Sequence, residues 1–143
     1  MADKETALIV GAGQGLSASL ARLFAAEGMN VAIAARNTDK LADLCSATGA
    51  KAYACDAVDA GQVEALFAAV TADLGEPDVV VYNASNRARG PIQELDTEAV
   101  RTAIEISCFG GFLVSQAAAT QMIARGNGTI LLTGASASVK GYP

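Results

Sequence analysis

Apolar positions fall along this chain in short unbroken blocks that alternate with helical stripes. Thr6 to Val10 is apolar or β-branched throughout, the pattern of a strand buried on both faces of a parallel sheet. Leu16, Leu20, Leu23 and Phe24 then recur at i, i+4, i+7 and i+8 and predict one stripe of a helix that stops at Glu27-Gly28. Val31 to Ala35 reads as a second buried strand. The short polar run Arg36 to Asp39 caps a helix from near Lys40, which carries Leu41, Leu44 and Cys45 inward and ends at Gly49. Ala50 to Cys55 is a third strand, ending in Asp56. A helix from about Asp59 follows, with Val63, Leu66, Phe67, Val70 and Leu74 on one face, and it closes at Gly75.

The second half repeats this rhythm. Asp78 to Tyr82 is a fourth strand, Asn83 to Asn86 a polar turn, and residues 86 to 95, with two arginines, Gly90 and Pro91, a loop. Asp96 caps a long helix running to about Arg125, and a fifth strand, Thr129 to Thr133, comes after Gly126-Asn127-Gly128. The middle of that helix, Ser107 to Gly111, has low helix propensity and is small enough to let another element approach closely. Strands alternating with helices define an α/β fold with a doubly wound parallel sheet. Right-handed crossovers give it the strand order 3-2-1-4-5, with ligands bound at the carboxyl ends of the strands beside the winding reversal.

Length and composition narrow the choices. A chain of 143 residues with 52% hydrophobic content forms about one domain with a substantial core. A net charge of −5 argues against nucleic acid or an anionic membrane surface as the main partner. The absence of histidine excludes a Ser-His-Asp triad and a histidine-bound metal. Cys45, Cys55 and Cys108 lack C-x-x-C spacing and suit a reducing compartment. The polar start of the chain shows no signal peptide, and no uninterrupted apolar stretch reads as long enough to span a bilayer, so the expected location is the cytoplasm.

The chemistry concentrates in Gly11-Ala12-Gly13-Gln14-Gly15-Leu16-Ser17, between the first strand and the first helix. Glycines there permit a sharp turn and close backbone approach, and the helix N-terminus behind them favours an anion such as a pyrophosphate. The P-loop pattern fails because no lysine follows, and G-x-G-x-x-G fails at Leu16. The turn instead resembles the T-G-x-x-x-G-[IL]-G of the short-chain dehydrogenase/reductase family, with Val10 in place of its threonine and Ser17 in place of its last glycine. Ser17 adds a Cβ and a hydroxyl where that glycine lets helix and strand close up, so the match to the motif is imperfect there. Asp56 resembles the family's aspartate that meets the adenine amine. Tyr82-Asn83-Ala84-Ser85 resembles its N-N-A-G.

The resemblance implies a Rossmann-type domain over residues 1–143, the N-terminal part of a longer fold. It implies an enzyme moving hydride between a nicotinamide and a small-molecule carbonyl or alcohol. The cofactor residues are Gly11, Gly13, Gln14, Gly15, Leu16, Arg36, Asp56, Ala57, Asn83 and Ala84. Arg36 follows the second strand where a carboxylate would accept from the NAD ribose. An arginine there suits a 2′-phosphate, so NADP is expected ahead of NAD, with Asp39 as a rival ribose acceptor.

The family's catalytic pattern is met only in part. Ser107 stands where its long helix carries an asparagine, and Ala135 stands at the place of its serine, with Ser136 and Ser138 near enough to substitute. Ser107 and Ser136 are therefore the catalytic candidates. The tyrosine and lysine of Y-x-x-x-K are expected beyond Pro143. Tyr142 comes too early for that role and Lys140 precedes it, so the chain is either part of a longer enzyme or a divergent branch with altered catalysis. A noncatalytic dinucleotide-binding or regulatory protein is the alternative, and the helix 96–125 is a candidate homo-oligomer interface.

Overall fold

The computed structural model describes residues 4–141, so Tyr142 lies outside the described residues. Five parallel strands, β1 (Thr6–Val10), β2 (Asn30–Ala35), β3 (Lys51–Ala54), β4 (Val79–Tyr82) and β5 (Thr129–Leu132), stand in the order β3-β2-β1-β4-β5. This is the doubly wound order expected from the crossover rule. Val10 is in register with Ala34 on one side and Tyr82 on the other, so β1 ends between its neighbours at the winding reversal.

Both faces of the sheet are covered. Helices α3 (Ala60–Leu74) and α5 (Gly110–Arg125) bring Val63, Phe67, Val70, Val114, Ala118 and Met122 onto Leu8, Val10, Ala34 and Val80. On the opposite face α1 (Leu16–Ala26) and α2 (Ala42–Thr48) meet Ile9, Val31, Ile33 and Val81. Alternate residues of each central strand feed opposite clusters, the period that a two-sided sheet requires.

Four details differ from the sequence pattern. In α1 the buried contacts are made by Ser17, Ala18 and Ala21, whereas Leu16 and Leu23 are 51% and 53% exposed. Small residues bring the helix axis close to the sheet, so the contact rotates away from the leucine stripe and only Leu20 and Phe24 flank it. Second, α2 begins at Ala42 behind a 3₁₀ turn, Asp39–Leu41, without a side-chain cap. Asn37 instead accepts from the Asp39 N–H at 2.9 Å and shapes the turn. Third, the long helix is not uniform: α4 (Thr97–Ile104) passes through a π turn, Glu105–Phe109, before α5. Fourth, the combined run Thr97–Arg125 is long and apolar enough to cross a membrane by length and composition, although its scattered polar residues hide this in the sequence. In this fold its Val114, Ala118 and Met122 belong to the core.

At the far end of the sheet Arg125 fastens α5 to the α3–β4 connection. Its guanidinium pairs with Glu76 and Asp78, each at 3.1 Å, and donates to the Pro77 carbonyl at 2.7 Å. The other Asp78 oxygen accepts from the Thr6 N–H at 2.8 Å, which ties β1 to β4.

The outer edge contributes a pH-dependent contact. Tyr53 donates to Asp73 at 2.9 Å and Lys51 lies 3.4 Å from the same carboxylate. The phenol first, and the lysine charge after it, hold Asp73 below the usual carboxylate range. A carboxyl depressed in the fold stabilises above its unfolded pKa, and that contribution is lost as pH falls. Asp73→Asn is therefore expected to flatten the acid limb of stability between about pH 5 and pH 2. Urea midpoints across that range test it, and an unchanged slope would show the contact to be inert.

Candidate functional site

The carboxyl ends of β1, β2 and β4, with the residues following β3, open onto a cleft of about 710 Å³. Its walls are Val10 to Ala12, Ala35 to Asn37 with Lys40, Cys55 to Val58, and Asn83 to Asn86, and Thr102 and Ile106 close the far side. Arg36, Asp56, Ala57, Asn83, Ala84 and Gly11 are thus brought together around one cleft. Gly13, Gln14, Gly15 and Leu16 continue the turn from Ala12 without lining the cleft.

The turn is held by two contacts that its glycine spacing does not reveal. Gly11 has φ +87°, and a Cβ there would fall 2.2 Å from the Ala84 nitrogen and 2.5 Å from its Cα. Glycine is demanded at this position by the backbone after β4. The second contact runs through Ser17, the residue that departs from the family's glycine. It is 1% exposed, donates to the Gly11 carbonyl at 3.0 Å and accepts from Asn83 Nδ2 at 2.8 Å. Its hydroxyl braces the turn against the residue that follows β4.

Beyond the turn, a Cβ at Gly13 or Gly15 would meet nothing within 4 Å, leaving open space over the start of α1. That helix has no acidic residue in its first turn and no side-chain cap, so its positive end is not neutralised locally. Arg36 and Lys40 stand exposed at the rim, and neither is ion-paired among the described residues. In the sequence Lys40 reads only as a helix start. The signal that could have found it is its position four residues after Arg36, on the turn that carries the chain back along the cleft.

On the β3 side the Asp56 N–H donates to Gln62 Oε1 at 2.9 Å, and the Asp56 carboxylate accepts from the Val58 N–H at 3.3 Å. These bonds shape the loop while leaving Asp56 partly exposed to the cleft. Cys55 beneath it is pushed up to about 11, first by burial and then by the charges of Asp56 and Asp59, so it stays a neutral thiol.

The two catalytic candidates are placed differently. Ser107 lies in the π turn, where its hydroxyl donates to the Asn86 carbonyl and accepts from the Asn86 N–H, both at 3.2 Å. It latches the loop after β4, and Asn86 in turn lines the cleft. Ser136 begins an exposed 3₁₀ turn, Ser136–Ser138, and is not among the cleft residues. Ser138 donates to the Ala135 carbonyl at 2.8 Å, a bond within that turn.

A glycine turn, an uncapped helix start and polar strand ends around one cleft at a winding reversal define a Rossmann-like α/β fold. The chain belongs to the short-chain dehydrogenase family, whose "short chain dehydrogenase" profile matches residues 5–143. It is 31% identical over 134 residues to D-threitol dehydrogenase of Mycolicibacterium smegmatis, with 90% of this chain and 52% of that protein covered. With galactitol 2-dehydrogenase of Agrobacterium fabrum it shares 32% identity over 136 residues, covering 94% of this chain and 53% of the other. The fold superposes on an actinorhodin polyketide ketoreductase crystallised with NADPH at a TM-score of 0.92 and 29% identity, covering 97% of this chain and 56% of that one. The chain thus spans about half the length of the relatives it matches.

Proposed function

We propose that residues 1–143 are the cofactor-binding domain of an NADP-preferring oxidoreductase, one that moves hydride between a nicotinamide and a small-molecule carbonyl or alcohol. The observation that carries this reading is a pair of cations, Arg36 and Lys40, without ion-pair partners among the described residues. They stand on the rim of a cleft whose other edge is the bare start of α1. A dinucleotide brings a pyrophosphate to the helix start and an adenosine ribose to the end of β2. With NADP, that ribose also brings a phosphate that a guanidinium can bind through two parallel hydrogen bonds.

The residues present fit the cofactor. Gly11 to Leu16 take the pyrophosphate on backbone N–H groups, with Gly13 and Gly15 leaving space for it. Arg36, assisted by Lys40, takes the 2′-phosphate. Asp56 and Ala57 face the adenine, and Asn83 and Ala84 fix the floor between the two halves. The bound nicotinamide supplies the hydride donor or acceptor. NAD is the second cofactor by this geometry, weakened by the lack of a carboxylate at position 36. The three free thiols fit the cytoplasm.

A noncatalytic dinucleotide-binding role has one observation in its favour: Ala135 occupies the place of the family's serine, and the nearby Ser136 lies away from the cleft. Titration of the longest expressible form with NADPH and NADH, followed by nicotinamide fluorescence, tests the cofactor assignment. Saturable binding favouring NADPH is expected, and a folded chain that binds neither would remove it. Turnover of polyol or ketone substrates by that form separates the enzyme from the binding module.

A further inference from the structure

Tyr82, the residue before Asn83, has no part in the dinucleotide contacts just described. It is 4% exposed and belongs to the core cluster that α3 and α5 build on this face of the sheet. Its hydroxyl reaches past the sheet and donates to the Ile106 carbonyl, inside the π turn. The helix leaves room for it only through glycine. A Cβ at Gly110 would lie 2.4 Å from the phenol oxygen and 3.2 Å from the Ala57 carbonyl, and one at Gly111 would lie 3.4 Å from the ring.

We propose that Tyr82 is a positioning residue for the far wall of the cleft. Its hydrogen bond to Ile106, made beneath Gly110, holds residues 105–109 in the wide π register that puts Ile106 on the cleft and Ser107 on Asn86. This inference rests on the dinucleotide reading for its consequence, though not for its geometry.

The physical argument is one of register. A π turn holds an extra residue, and the Gly110 N–H accordingly reaches back to the Glu105 carbonyl. Return to ordinary α-helix would rotate one side of the turn by about 100° relative to the other, because that is the angle per residue. Ser107 would leave Asn86, and the loop after β4 would lose its latch. With the Gly110 N–H turned to Glu105, the Ile106 carbonyl is released from its α-helical donor and accepts from Tyr82 instead, and return to α-helix would take that acceptor from a phenol buried in the core. Burial first, then the charge of Asp56, pushes the Tyr82 phenol up to about 12, so it remains a donor at ordinary pH.

Tyr82→Phe keeps the ring and removes only the donor. The reporter is Cys108, exposed within the π turn, in a Cys45→Ala background that leaves only the buried Cys55 besides. Tyr82→Phe is expected to change the rate of Cys108 modification by a maleimide by about threefold or more, and to weaken NADPH about threefold to tenfold, as the loss of one buried hydrogen bond would. Gly110→Ala, which drives its methyl onto the phenol oxygen, is expected to change the labelling rate in the same way. Combined with Tyr82→Phe it should add little, because both act on one contact. An unchanged labelling rate in folded Tyr82→Phe, or fully additive effects of the two substitutions, would overturn the proposal. The labelling needs no cofactor, so failure to bind NADPH would strike the cofactor assignment alone, and the Cys108 rates would still decide the role of Tyr82.

Discussion

Gly11→Ala is expected to destabilise the chain by about 3 kcal/mol or more, the sum of a left-handed backbone penalty and an overpacked contact. The substitution asks an L-residue to hold φ +87° and drives its methyl to within 2.7 Å of the Ala84 nitrogen, Cα and Cβ together. Those atoms belong to the chain leaving a central strand, so they cannot swing aside like the end of a flexible side chain. At this chain length that energy lowers the thermal midpoint by about 10 °C. Dinucleotide binding should fall with it, because the same turn carries the Gly11 carbonyl that Ser17 grips. Gly13→Ala is the control: its methyl meets nothing within 4 Å, so the midpoint should scarcely move. Thermal unfolding followed by circular dichroism decides the matter. Equal midpoints for the two variants would show that the turn is looser than its contacts imply.

Arg36→Asp is expected to reverse the cofactor preference without unfolding the chain. Arg36 is exposed and makes no ion pair among the described residues, so its removal leaves no buried charge behind. A charge-assisted bond to a phosphate contributes about 1.5–3 kcal/mol, so its loss should weaken NADPH about tenfold to a hundredfold. The new carboxylate would repel the phosphate and accept from a ribose hydroxyl, and NADH should tighten. Lys40→Ala should weaken NADPH by less, because a lysine acts as a point charge without a bidentate fork. The measured quantity is the ratio of the two dissociation constants. A ratio unchanged by Arg36→Asp would take the arginine out of the site.

Much of this arrangement is written locally. The blocks Thr6–Val10, Val31–Ala35 and Asp78–Tyr82 declare buried parallel strands, because a strand covered on both sides can carry few polar residues. The handedness of their connections then fixes the order, and the order fixes which strand ends face the cleft. Gly11, Arg36, Asp56 and Asn83 are legible as cleft-lining residues for that reason. Ser136, close in sequence to a motif position, stands in an exposed turn outside the cleft lining, because proximity along the chain does not by itself bring a residue to the cleft.

Helix faces are less legible. The leucine stripe of α1 is sound as periodicity, yet it misplaces the contact, since Ala18, Ala21 and Ser17 let the helix settle closer than leucines allow. The low helix propensity of Ser107 to Gly111 marks an anomaly without saying that it would be a π turn. That outcome depends on Tyr82, whose hydroxyl reaches Ile106 from 24 residues away. In the same way Ser17 becomes a brace only because Asn83, 66 residues on, brings an amide to its hydroxyl.

The sequence by itself determined the strands, their order and the end of the sheet at which the cleft opens, because hydrophobic period and crossover handedness act over a few residues at a time. The tertiary structure alone decided which helix face meets the sheet, which carbonyl the Tyr82 phenol finds, and that a serine in place of a glycine holds the turn together. These depend on atoms packed within a few ångströms of one another from distant parts of the chain, a closeness that no local pattern encodes.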